Sequence, residues 1–175
     1  MTDRENVVAA VVEAAGGRLT GRVRLQKMVY LLDLHGLNSG FPFEYHHYGP
    51  YSRDVDIATA DAKAFLPFEE TFDHRSSDGA RYSIFTFKGQ APVEAFGPLG
   101  KEKALELGER LRGVNVTVLE LAATVDWLWR VEKVSDWRRE VARRKNVKVQ
   151  NGRLEKAIEL LRDLGHPPPE VAQAA

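Results

Sequence analysis

The 175-residue chain balances 25 Lys plus Arg against 25 Asp plus Glu, so its formal net charge is zero and any role at nucleic acid or anionic membrane falls to a local patch. At 43% hydrophobic and 29% charged it has enough apolar material for one domain with a real core and too much for a disordered chain. The absence of cysteine excludes disulfides, thiolate metal sites and cysteine nucleophiles and fits a cytoplasmic protein, and no apolar run approaches the roughly 20 residues that span a bilayer.

Thr2 and Glu5 have capping-box spacing, and Val7, Val8, Val11, Val12 and Ala15 then recur as one helical face before Gly16-Gly17. Thr20 is placed to cap a second helix, in which Leu25, Met28, Val29 and Leu32 keep the i, i+3, i+4, i+7 rhythm up to Gly36. In FPFEYHHY, an extended segment puts Phe41, Phe43, Tyr45 and His47 on one side and Glu44, His46 and Tyr48 on the other, until Gly49-Pro50 breaks it. Ser52 is an N-cap for a third helix expected to bury Val55, Ala58, Ala62 and Phe65 and to end before Pro67. PFEETFD and ARYSIFTF follow as two strands, with Asp78-Gly79 in the turn.

Helices are predicted near 101–112, 117–133, 136–145 and 151–164, the last capped by Asn151. The 117–133 helix is apolar nearly all round, through Val118, Leu121, Ala122, Val125 and Trp129 and through Leu119, Ala123, Trp127, Leu128 and Val131. The fold expected is mostly α with a small β-hairpin, an α+β domain over 1–165. Its winged-helix-like half is 1–97, its helical half is 98–165, and a mobile Pro-rich tail occupies 166–175.

Catalytic constellations are missing. His46 and His47 are adjacent in an extended run, so they point apart, and no HxH or HExxH element accompanies them; no metal or cofactor is expected. Ser52 is followed by Arg53 and Asp54 and so does not match the Gly-x-Ser-x-Gly of a nucleophile elbow, and no Gly-rich phosphate loop follows a strand. A hydrolase or nuclease site would have to be assembled from Glu44, His46 and a residue distant in sequence. Asp126, inside the most apolar helix, and Lys27, beside the core face of the second, each need a buried partner.

Two charge patterns bear on nucleic acid. Arg138, Arg139, Arg143, Arg144, Lys145, Lys148, Arg153 and Lys156 are opposed within their segment only by Glu140 and Glu155, eight minus two, which makes 138–156 the candidate patch for nucleic acid or an acidic partner. The third helix instead carries Asp54, Asp56 and Asp61 against Arg53 and Lys63, a poor surface for phosphates.

Leu25-Gln26-Lys27, Val29-Tyr30-Leu31, Phe43, Tyr45 and Tyr48-Gly49-Pro50-Tyr51-Ser52 carry a family resemblance, continued in LELAATVDWL and LEKAIELLRDLG. On these residues the chain resembles the YwgA-like group and, more loosely, the SocA-type antitoxin family known as Panacea. SocA-like members commonly read Gly-Pro-Val where this chain reads Gly-Pro-Tyr-Ser. The resemblance implies a mostly helical domain with a small β element and a non-catalytic protein-binding role. That role would be that of an antitoxin, chaperone or proteolytic adaptor for a bacterial toxin or defence protein. The partner-binding residues it implies are Leu25, Gln26, Lys27, Tyr30, Tyr45, His46, Tyr48, Gly49, Pro50, Tyr51 and Ser52. The alternative is a DNA- or RNA-binding regulator that uses 138–156, and homodimerisation is the default expectation for either.

Overall fold

The structure, a computed structural model, describes residues 2–171 and is mostly helical with small antiparallel sheets. Its residues group into two compact units, 1–44 with 51–114, and 45–50 with 115–175. This partition falls after Val114 instead of residue 97. The helix at 101–112 therefore belongs with the first unit, and the short stretch 45–50 goes with the second.

The first unit begins with α1 (Arg4–Ala14), β1 (Arg18–Thr20) and α2 (Arg22–Asp33). Asp3, not Thr2, stands at the N-cap of α1, and no side chain caps it. Thr20 belongs to β1 and Gly21 precedes α2 in its place. Further on, α3 (Arg53–Phe65), β4 (Phe68–His74) and β5 (Arg81–Phe87) complete a sheet in the order β1-β5-β4, all antiparallel, with Leu19 opposite Phe85 and Thr71 opposite Ile84. Three helices followed by a hairpin is the order expected from the sequence, and β1 is a strand that the sequence did not show. Val8, Leu19, Met28, Leu31, Val55, Ala62 and Phe85 make its core.

Helix α4 (Lys101–Arg112) packs on α1, and Arg24 of α2 donates to the Leu111 and Val114 carbonyls just where α4 leaves its own last acceptors unpaired. The wing is fastened to the helices through Glu70, which accepts from Arg22 and Lys63 at 2.7 Å each and from the Ser83 hydroxyl at 2.6 Å. Burial alone would raise that carboxyl; the three donors together hold it below its ordinary range.

In the second unit, α5 (Val116–Asp126) is capped by Asn115, whose side chain accepts from the Thr117 and Val118 amides. The single long helix predicted there is interrupted. Its last turn, Trp127–Val131, widens into π geometry, with Glu132 N–H reaching the Trp127 carbonyl, and Val131 is exposed. Then come α6 (Trp137–Lys145) and α7 (Arg153–Asp163); Gly152, not Asn151, occupies the N-cap of α7. Both α6 and α7 pack on α5. In the Pro-rich tail the Pro169 carbonyl accepts from the Trp137 indole at 2.9 Å; 172–175 lie outside the described residues.

Candidate functional site

Most of the motif is architecture. Leu25, Gln26, Lys27, Tyr30, Gly49, Pro50 and Ser52 are all buried, so they cannot meet a partner from the surface, and of the residues expected there Tyr45, His46, Tyr48 and Tyr51 retain exposure. The Gln26 side chain explains why the two halves of the motif occur together. Its amide nitrogen donates to the Ser52 carbonyl and its oxygen accepts from the Ser52 N–H, both at 2.9 Å, so that α2 grips the residue that starts α3 as a neighbouring strand would. Ser52 is an N-cap by backbone conformation alone, because its buried hydroxyl finds no hydrogen-bond partner. The next anchor is the Tyr51 phenol, which donates to Asp56 at 2.6 Å and has its pKa raised chiefly by that bond.

Residues 45–50 form the turn of a tiny hairpin, β2 (Glu44–His46) with β3 (Gly49–Tyr51), where the sequence suggested a simple break at Gly49-Pro50. Within the second unit this turn is clamped electrostatically. Glu120 of α5 accepts from Lys145 at 2.8 Å and Lys148 at 2.9 Å, and Lys145 also donates to the His47 carbonyl at 3.1 Å. Arg144 lies 4.6 Å from the Tyr45 ring centre and Lys148 lies 4.7 Å from that of Tyr48, so the cations hold the aromatic faces as well. Tyr48 is 49% exposed at the tip.

Gly49 has φ +86°, and a Cβ there would come within 2.6 Å of Thr124 Oγ1 on α5. Gly49→Ala is therefore expected to destabilise by about 2 kcal/mol in a urea melt, from left-handed strain plus overlap. Thr124 Oγ1 is buried without a hydrogen-bond partner, so a second change, Thr124→Ala, should restore the overlap part and leave only about 1 kcal/mol of strain.

Half of the positive charge of the basic segment is offset by carboxylates, two of which lie outside it. Arg138 meets Glu155, Arg143 meets Glu140, Arg144 meets Glu140 and Glu132, and Lys145 and Lys148 share Glu120. Counting Glu120 and Glu132 with Glu140 and Glu155, the balance is eight minus four. Hydrogen bonds from Arg143 and Arg144 hold the Glu140 carboxyl down at about 2, so that charge stays in place. Arg153 is turned onto the Val147 and Lys148 carbonyls. Arg139 remains at the edge of the segment. Asp126 is buried and gripped by Arg130 one turn on, through both carboxylate oxygens, which gives it a structural duty. His46, His47 and Glu44 are exposed, and among the described residues no three His, Asp or Glu groups are arranged to hold a metal ion.

The surface that sequence reasoning missed lies on α3. Ile57, Ala60 and Ala64 share its solvent face at i, i+3, i+7, and Phe65, expected in the core, is 73% exposed beside them. Lys63 is committed to Glu70 at 2.7 Å; Asp61 and Asp54, the latter paired with Arg4 at 2.8 Å, flank the stripe, while Asp56 is taken up by the Tyr51 phenol. Among the described residues no helix is long and apolar enough to cross a membrane. No protein-family model matches this chain, and no curated protein matches it either.

Proposed function

We propose that this chain is a non-catalytic, cytoplasmic protein-binding module that captures its partner with the solvent face of α3, and that the partner is a toxin or defence protein neutralised or delivered by it. The observation that carries this reading is the composition of that face: an apolar stripe of Ile57, Ala60, Ala64 and Phe65 beside Asp61 and the Arg4-paired Asp54. In a DNA-binding winged helix the same helix enters the major groove, where aspartates repel phosphate and apolar side chains find no ionic match. A partner helix or loop with apolar anchors and a basic rim fits it instead. The motif resemblance supports the antitoxin, chaperone or adaptor role, and the commitment of Arg138, Arg143, Arg144, Lys145 and Lys148 to carboxylates weighs against nucleic acid.

The test is affinity purification of the tagged chain from its native cells at moderate salt, with the eluate divided between mass spectrometry and nucleic-acid detection. A stoichiometric protein is expected, recovered at least tenfold less with Ile57→Ser/Phe65→Ser, while the two chains melt alike because both side chains are exposed. Equal recovery with that variant, or nucleic acid that leaves as salt rises, overturns the reading.

A further inference from the structure

We propose that the cleft beside Trp137 is a polyproline-recognition site, occupied in cis by this chain's own Pro168-Pro169-Glu170 and open in trans to a Pro-rich segment of another protein. The inference stands apart from α3, so its failure leaves the reading above untouched.

Each of His166, Pro167 and Pro168 precedes a proline, which steers it away from helix, and each proline fixes its own φ near −65°. The tail is therefore pre-set for an extended, polyproline-like course, and 166–171 adopt no helix or strand. Such a segment has no N–H at its prolines and leaves its carbonyls without internal partners, so a receptor must bring donors. The donor here is the Trp137 indole, 2.9 Å from the Pro169 carbonyl, on a side chain only 1% exposed. Pro-rich segments dock in aromatic-lined grooves, where their pre-set extended course keeps the ordering cost low.

Other walls of the cleft suit the residue that follows. Arg138, Arg139 and Arg162 line it with Ile158, and Glu170 of the tail lies among them. Arg138 is held in place by Glu155 at 2.9 Å and lies 5.2 Å from the Trp137 ring centre, which extends the aromatic platform. Asp136 is occupied in capping α6. About 1170 Å³ stays open with the tail seated, which leaves room for more chain than the tail fills. The ligand class is thus a proline-rich peptide with an acidic residue after its prolines.

The experiment titrates the full chain with the capped peptide His-Pro-Pro-Pro-Glu-Val, following the indole N–H resonance of Trp137, assigned by its loss in Trp137→Phe. A tethered occupant competes at an effective concentration of about millimolar, so the parent should bind the peptide only weakly. Pro168→Gly/Pro169→Gly in the full chain weakens the occupant, and that variant should bind saturably at least tenfold more tightly. The peptide with glycine in place of its prolines should move nothing, and Trp137→Phe added to that variant should lose the binding heat in isothermal titration calorimetry. Equal response to the glycine peptide, or no saturable response of the folded variant, overturns the proposal. If the variant fails to fold, the parent at millimolar peptide decides: a displaced indole resonance supports the site and an unmoved one refutes it.

Discussion

Gly108→Ala is expected to be among the most destabilising single-methyl additions this chain can receive, although it sits inside α4 where alanine is the better helix former by about 1 kcal/mol. The cause is the close approach of α4 to α1. A Cβ at position 108 would overlap the carbonyl oxygen and carbon of Ala14 and stand 2.8 Å from its Cβ. The obstacle is backbone, and a flexible side chain cannot turn aside to admit it. Overpacking of this kind costs about 1–3 kcal/mol or more when the helices must separate. The propensity gain is the smaller quantity, so the sign is set by the clash, and a net loss of about 2 kcal/mol should lower Tm by roughly 4–8 °C. Gly113→Ala is the internal control: its φ of −88° suits alanine and a Cβ there meets nothing within 4 Å. It should be neutral or slightly stabilising. If thermal melts show the two substitutions to be alike, the tight α1–α4 contact is wrong.

Sequence periodicity made the helices of the first unit legible because their apolar residues repeat within a few turns; it failed where partners are remote. β1 is three residues long with only Leu19 buried, and its sole reason to be a strand is pairing with β5 some 65 residues later. Phe65 continues the spacing of Val55, Ala58 and Ala62, so it looks like core. In the fold the last turn of α3 carries Phe65 out to solvent, and Phe68, after the Leu66-Pro67 break, is the buried aromatic, packed beside Phe85. The Asp78-Gly79 turn was readable because it is local: Asp78 accepts from the Ala80 amide and pairs with Arg75.

The site divides the same way. Tyr48-Gly49-Pro50-Tyr51-Ser52 and Leu25-Gln26-Lys27 were visible as motifs, but their role as mutual scaffolding required Gln26 to be seen against Ser52. Asp126 drew attention as a carboxylate in an apolar helix. Glu120, six residues earlier on the same helix, satisfies the same description and carries the larger burden, because its cations come from α6 and the turn after it. A tally of charges confined to 138–156 cannot include it.

Glu120→Gln should be the most costly conservative substitution in the second unit. The Glu120 side chain is 5% exposed and that of Lys145 is 2%, so removing the carboxylate charge leaves an ammonium in a poorly solvated place with only neutral partners, the glutamine amide oxygen, the His47 carbonyl and the Tyr45 ring. Breaking a buried pair in this way costs about 3–5 kcal/mol, whereas replacing both partners by well-packed neutral groups is often close to neutral. The expected urea-melt result is thus a loss of about 3 kcal/mol for Glu120→Gln and recovery of more than half of it on adding Lys145→Met, a coupling that independent sites would not show. Lys148, one-third exposed, can return to water, so Lys148→Met should cost under about 1 kcal/mol. Added salt should change little of this, since screening acts weakly on buried charge. The same cluster holds the 45–50 turn, so amide exchange at Tyr45, His47 and Tyr48 should quicken in Glu120→Gln at denaturant concentrations where α7 stays protected. Exchange that quickens uniformly, or a double variant no more stable than the single one, would reduce the lysines to surface charge and remove Glu120 as the anchor of the exposed Tyr48.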